Sequence, residues 1–361
     1  MIIFSTNKNN NDILSKTSPE ISIDLNKSSF IFGDNLIALK SLLPSLKGKV
    51  DLIYIDPPFN TNQVFAICEG RSNTISRPKN GTIAYSDLMT KESYLSFMYE
   101  RFVLIHELLS EIGSLYVHID TKMSHYFKVI LDEIFGDNNF KNEITRIKSN
   151  PKNFDRKAYG NQKDIILFYA KNYKKNIWND VRINIDTPEK IAKKFSKIDE
   201  NGRRYTTIPL HAPGESNGVT GQAWRGMMPP IGRHWRTNPL DFDKMDDEGL
   251  IEWSANGNPR IKKYADEHKG VKIQDVWTFK DPQYPLYPTE KNLEMISMII
   301  KQSSNKDSIV LDCFAGSGTT LLASALNNRK FIGVDNSPVA YNIIKQRLDK
   351  FDFDIFELLE Q

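Results

Sequence analysis

Residues 308–320 read SIVLDCFAGSGTT, and this stretch decides the fold. The run Ile309-Val310-Leu311 predicts a buried strand, and Gly316 and Gly318 then form a loop whose backbone a ligand can approach closely. From Thr319 to Leu326 the apolar spacing is helical, and a second short strand, KFIGV at 330–334, follows. It ends on Asp335, 19 residues after Gly316, near the roughly 20 that separate a nucleotide-binding loop from the carboxylate holding ribose hydroxyls. Strand, glycine loop, helix, strand and acid in that order predict half of a parallel, doubly wound sheet.

The loop also narrows the ligand. A dinucleotide fingerprint wants glycine where Leu321 stands, and the lysine of a triphosphate loop is missing. A ligand with adenosine and ribose but no phosphate, such as S-adenosyl-L-methionine, is compatible.

Outward from this stretch the same alternation recurs. Short β-rich runs lie at 28–36 (SSFIFGDNL), 50–55 (VDLIYI) and 113–119 (GSLYVHI), with helical spacing at 94–109, 126–135 and 339–351. Directly after DLIYI comes DPPFN, residues 56–60. Two prolines must stop the strand, so Asp56 and Phe59 sit at its carboxyl end, where open α/β sheets bind ligands. The Asp56 carboxylate and the Pro57 carbonyl can both accept from an exocyclic amine, and Phe59 offers a face for stacking a base. A plain Asp-Pro-Pro turn is the competing reading.

The 361 residues carry 48 Lys+Arg and 45 Asp+Glu, a net of +3 that averages unlike segments. Residues 1–140 hold 13 basic and 16 acidic side chains, 141–285 hold 27 and 19, and 286–361 hold 8 and 10. All five tryptophans fall in the basic middle, whose Gly- and Pro-rich stretch HAPGESNGVTGQAWRGMMPPIGRHW predicts an irregular inserted domain. No apolar run approaches the roughly 18 residues of a membrane span and no signal-peptide order opens the chain, so the expected location is the cytosol. Two cysteines and six histidines lack metal-type spacing, and no metal is expected.

DPPF together with FAGSGTT, catalytic motif first and cofactor motif last, resembles the β-class amino DNA methyltransferases, specifically the adenine-N6 enzymes. Gly33-Asp34-Asn35, GSLYVHID at 113–120, QKDIILFYAKN at 162–172, DVWTF at 275–279 and YPTEKN at 287–292 look like recurring blocks of that family and of type III modification subunits. The likeness covers most of the chain beyond residue 28. It implies a Rossmann-like, S-adenosylmethionine-dependent methyltransferase sheet with an inserted, irregular target-recognition domain. The catalytic half would span 28–140, the recognition region 141–285 and the cofactor half 286–361.

The likeness also assigns residues. Asp56, Pro57, Pro58 and Phe59 would hold the amine of a flipped base for direct transfer of the sulfonium methyl group, without a covalent enzyme intermediate. Phe314, Gly316, Gly318 and Thr319 would line the methionine and ribose region, with Asp312 and Asp56 beside them. Asp335 would hold the ribose, and Asn336 and Ser337 the adenine. Asp34, Thr289 and Lys291 match blocks flanking the cofactor, although Thr289 and Lys291 also suit an ordinary helix N-terminus. Cytosine-C5 chemistry needs a thiolate beside the base, which neither Cys68 nor Cys313 suits. Aspartate at position 56 favours adenine over cytosine-N4, whose enzymes resemble this pattern with serine there. An RNA amino-methyltransferase, a dehydrogenase and an inactive DNA-binding module are the alternatives.

The implied partners are double-stranded DNA, a second copy in a homodimer, and a cognate restriction endonuclease. Residues 141–175 carry ten Lys/Arg against three acids with aromatics interleaved, and Arg146, Lys148, Lys152, Arg156 and Lys157 are expected on DNA. Arg225, Arg233 and Arg236, in the stiff loop WRGMMPPIGRHWR, form a second candidate group. The aperiodic stretch 61–87 is expected to order as a lid over the cofactor or the flipped base.

Overall fold

The computed structural model describes residues 10–15, 21–59, 63–68, 71–73, 82–87, 89–151, 157–183, 187–287 and 290–358. Its main sheet has nine strands: β1 (Ser28–Phe32), β2 (Val50–Ile55), β3 (Leu109–Ile119), β4 (Phe140–Ile147), β5 (Lys163–Ala170), β6 (Val276–Thr278), β7 (Ile309–Asp312), β8 (Lys330–Asp335) and β9 (Phe353–Glu357). Their order is β6-β4-β5-β3-β2-β7-β8-β1-β9. Only β5 runs antiparallel to its neighbours. The central strands are apolar on both faces because helices cover both, as parallel sheets require.

The helices that place the site are α1 (Asn35–Leu46), α2 (Lys91–Leu108), α3 (Ser124–Phe135), α4 (Leu293–Ser303), α5 (Thr319–Leu326) and α6 (Pro338–Arg347). Asp34 caps α1, its Oδ1 accepting from the backbone N–H of Leu36 and Ile37. Asn292 caps α4 by accepting from Met295 N, so the cap there is neither Thr289 nor Lys291. Leu39, Leu42, Phe102, Phe127, Ile53 and Val117 meet in the main core.

The chain divides into two compact units, residues 1–181 with 274–361, and residues 182–273. This division falls at 182 rather than at the expected 141, because Phe140–Ile147 and Lys163–Ala170 are two strands of the main sheet. Trp178 and Trp277 go with them into the first unit. The second unit is more regular than its composition implied. It has a four-stranded antiparallel sheet (Lys197–Ile198, Arg204–Pro209, Pro259–Tyr264, Ile251–Trp253), a helix at Pro239–Asp247, and its own core of Leu210, Trp224, Trp235, Phe242, Ile251 and Ile261.

Within 61–87, the described residues form three antiparallel strands, Gln63–Cys68, Arg71–Asn73 and Thr82–Asp87, which corrects the aperiodic reading. Cross-strand pairing, which leaves no mark in local hydrophobic period, is what orders them.

Candidate active site

Four adjacent strands, β2, β7, β8 and β1, end on one edge of the sheet, and the turns leaving them enclose a cavity of about 440 Å³. Register brings the two motifs together: Leu52 and Ile53 of β2 pair with Val310 and Leu311 of β7, so the chain leaves both strands side by side at Asp56 and Cys313. Phe32 pairs with Asp335, which adds the Gly33-Asp34-Asn35 turn to the same edge. Of the expected residues, Asp34, Asp56, Pro57, Pro58, Phe59, Lys291, Asp312, Phe314, Gly316, Thr319, Asp335, Asn336 and Ser337 line the cavity. Thr289 lies outside the described residues.

Gly318 is absent from the lining, and its role differs from the expected one. It precedes α5 with φ +73°, and a Cβ there would stand 2.8 Å from Ile344 Cγ1 of α6. Helix packing and a left-handed backbone demand this glycine. Gly316, with φ +49°, does face the cavity, and its N–H donates to Asp335 Oδ2 at 2.7 Å.

Asp56 is the centre of the polar arrangement. Its Oδ2 accepts from Lys291 Nζ in an ion pair whose side chains are 16% and 8% exposed. Its Oδ1 is buried and has no hydrogen-bond partner among the described residues. A buried acceptor without a donor is unfavourable unless a ligand supplies one. Lys291 Nζ also lies 5.4 Å from the centroid of the Phe59 ring. Sequence reasoning put Lys291 beside the cofactor; the fold places its charge on the DPPF carboxylate. The turn itself is held by Tyr94, whose hydroxyl donates to the Pro58 carbonyl.

Two further carboxylates border the cavity. Burial pushes Asp312 up to about 7, with Asp56 and Asp335 adding to the rise, while the Thr320 hydroxyl and the Phe314 N–H draw it down. Burial likewise raises Asp335, although the N–H groups of Ser337, Gly316 and Asn336 oppose this. Cys313 is fully buried, and burial holds its thiol far above the range in which a thiolate forms.

Several supporting residues escaped sequence reading. Asn35 donates to the Cys313 carbonyl at 2.9 Å and accepts from Arg101 Nε at 2.7 Å. Arg101 also approaches Asp34 at 3.6 Å, so the Asp34 carboxylate serves a helix cap and an ion pair as well as the cavity wall. Arg347 pairs with Glu290 at 2.8 Å and donates to the Ser317 carbonyl at 3.0 Å, clamping the glycine loop. Beneath β2, Tyr54 OH, His118 and Asp164 form a buried chain. Their spacing in sequence carries no signal, because each contact joins different strands.

The expected DNA contacts separate. Arg146 is fully buried, donating to the Phe279 carbonyl at 2.9 Å and pairing with Asp281 at 2.5 Å and Asp164 at 3.4 Å; it is a scaffold residue, not a phosphate contact. Lys148 is tied to Asp164 at 2.6 Å, whereas Lys157 is exposed. Lys152 and Arg156 lie outside the described residues. In the second unit Arg225 is exposed but paired with Asp243 and Asp246, and Arg233 and Arg236 are exposed.

Comparison with known proteins agrees with this geometry. A family model described as DNA methylase matches residues 50–346. The chain belongs to that family. It is 41% identical over 326 residues to the type II methyltransferase M.EcaI of Enterobacter cloacae, covering 89% of this chain and 69% of that one. It is 28% identical to the type III StyLTI Mod subunit of Salmonella typhimurium, covering 84% of this chain and 51% of the subunit, so it spans about half the subunit's length. It is 24% identical to the DNA adenine methyltransferase YhdJ of Escherichia coli K12, covering 89% and 82%. The DNA methylase transfers methyl groups to DNA, and its methyl donor is S-adenosyl-L-methionine. The cavity suits that donor: Gly316 lines it without a side chain, between Phe314 on one side and the Asp335 carboxylate on the other. No described helix is long and apolar enough to cross a membrane.

Proposed function

We propose that this DNA methylase acts on the exocyclic N6 of adenine in duplex DNA, as the modification enzyme of a restriction–modification system. Asp56 carries the reading: one oxygen is tied to Lys291 and the other, Oδ1, is buried and unpartnered, on a residue that lines a ligand-sized cavity together with Phe59. An exocyclic amine brings two N–H donors, one for Asp56 Oδ1 and one for the Pro57 carbonyl. Accepting both favours a tetrahedral nitrogen whose lone pair is released from the ring, and positioning supplies much of the remaining rate. When bound, S-adenosyl-L-methionine supplies an electrophilic methyl group. Phe314, Gly316 and Thr319 would lie along its methionine and ribose, Asp312 beside them, Asp335 on the ribose hydroxyls, and Asn336, Ser337 and Asp34 at the adenine end. The target nitrogen is paired inside the duplex, so the base must leave the stack, where Phe59 receives it.

Aspartate at position 56 and the similarity to an enzyme named as an adenine methyltransferase support adenine over cytosine-N4. We assign target recognition to residues 182–273, with Arg225, Arg233 and Arg236, and DNA backbone contact to Lys148, Lys152, Arg156 and Lys157. A homodimer, a cognate endonuclease and a lid formed by 61–87 complete the proposal. Hydrolysing DNA from cells that express the chain to nucleosides tests the central claim: N6-methyladenine is expected, N4-methylcytosine would overturn the choice of base, and neither would overturn the activity. Long-read sequencing of the same DNA gives the sequence context.

A further inference from the structure

In the second unit, strands His211–Pro213 and Arg233–Trp235 pair as a hairpin, closed by Gly214 N–H donating to the Gly232 carbonyl at 3.0 Å. The connection is pinned from below at two places. Trp224 is buried and donates to Asp243 at 3.0 Å, and Trp235 is buried and donates to the Gln222 carbonyl at 2.7 Å. Trp224 and Met227 exchange backbone hydrogen bonds. Arg225, held between Asp243 and Asp246, fixes the base of the same loop.

What this rigid base presents is apolar. Met228 is 62% exposed and Ile231 is 101% exposed, with Pro229 and Pro230 between them. Two prolines restrict the backbone, and the Arg233 N–H donates to the Pro230 carbonyl at 3.0 Å to close the tip, which narrows the conformations open to it. Arg233 leaves the tip directly, and towards the hairpin's foot the charge stays positive: Arg233, Arg236 and Arg260 all act on the His211 imidazole, lowering its proton affinity after burial has done so. Arg260 is anchored on Thr207 and Arg236 on the Pro209 carbonyl, which holds these cations at the hairpin's foot.

A stiff apolar tip with Arg233 next to it and two anchored arginines at the foot of the same hairpin matches the chemistry of elements that part stacked bases while cations hold the phosphates. We propose that the turn at 228–232 is a wedge that enters duplex DNA, Ile231 and Met228 inserting at a base step and Arg233, Arg236 and Arg260 neutralising the phosphates beside it. This rests on the assignment of residues 182–273 to target recognition. The wedge takes up the stacking lost where the helix is opened, which assists extrusion of the target base.

The test uses the full chain and duplexes of its methylated sequence carrying 2-aminopurine at successive positions around the site. Wild-type protein should raise the fluorescence at one step, and Met228→Ala/Ile231→Ala should abolish most of that rise. The double variant should weaken binding to intact duplex on the order of tenfold, yet bind nearly normally to a duplex with an abasic gap at that step, where stacking is already lost. Its salt dependence should stay unchanged, whereas Arg233→Ala should lower the slope of log affinity against log salt by about one. Both replaced side chains are exposed, so an unchanged melting temperature verifies folding. Wild-type fluorescence in the double variant, or equal loss on intact and gapped duplexes, overturns the wedge. If Arg233→Ala alters the slope while the double variant does nothing, the recognition assignment stands and the wedge falls. Absence of duplex binding by the wild-type chain overturns both.

Discussion

Replacing Asp56 with asparagine changes one atom type and little volume, yet the structure gives it a defined cost. The carboxylate offers two acceptor oxygens, one on Lys291 Nζ and one buried without a partner. An amide offers one. If its oxygen stays on Lys291, its NH2 faces the incoming amine, donor against donor, and a hydrogen bond to a charged acceptor worth about 1.5–3 kcal/mol is lost. If the amide flips, the NH2 faces the Lys291 ammonium, a buried charge left without its counter-ion. Breaking such a pair costs about 3–5 kcal/mol when fully buried and less here, where the side chains keep 16% and 8% exposure. Either way about 2–4 kcal/mol of transition-state stabilisation disappears, which at 1.36 kcal/mol per tenfold is a loss of roughly 30- to 1,000-fold in kcat. Single-turnover transfer of labelled methyl groups into duplex DNA measures it, with cofactor and DNA affinities determined separately and expected within about fivefold of wild type. Transfer within fivefold of wild type by Asp56→Asn would refute the two-acceptor argument. A double-mutant cycle with Lys291→Met adds a check: the double variant should be no worse than the more damaging single one, because the two residues act as a pair.

Further outcomes follow from the same contacts. Lys291→Met should lower stability by about 2–4 kcal/mol in thermal or denaturant unfolding, with Lys291→Arg closer to wild type; an unchanged midpoint would show that the ion pair contributes nothing. Gly318→Ala should destabilise by about 1–3 kcal/mol, through a Cβ 2.8 Å from Ile344 Cγ1 and a left-handed backbone, and that cost should be smaller in an Ile344→Ala background, which removes the Cγ1 it meets. Asp312 titrates near 7 when folded and near 3.8 when unfolded, so between these values the native state holds a proton that the unfolded state has released. Stability should therefore fall as pH rises from about 4 to about 7, by on the order of 4 kcal/mol from this group, and Asp312→Asn should flatten that slope in pH-dependent unfolding. Arg146→Ala should cost about 3 kcal/mol of stability while leaving the salt dependence of DNA binding intact; a lowered slope with normal stability would restore it as a phosphate contact.

Local chemistry was legible in the chain. A β-branched run ending in Asp-Pro-Pro must stop, and one ending in a glycine loop before a helical pattern must turn, so residues 50–60 and 308–335 announced two strand ends and the residues placed there. Amphipathic spacing marked α2, α3, α5 and α6 in the same way. These signals act within a few residues, and neighbouring side chains are enough to produce them.

Long-range pairing was not legible. Only the folded sheet sets β1 between β8 and β9, on the cofactor side, although it comes first in the chain. Only the sheet draws Phe140–Ile147 and Lys163–Ala170 out of the basic middle, turning Arg146 from a solvent-facing cation into the buried partner of Asp164 and Asp281. And only tertiary structure carries Lys291 onto Asp56 Oδ2, leaving Oδ1 for a ligand. A charged side chain's residue type states what it can pair with; which partner it meets is decided by burial and strand order, which make one distant counter-ion available and exclude water.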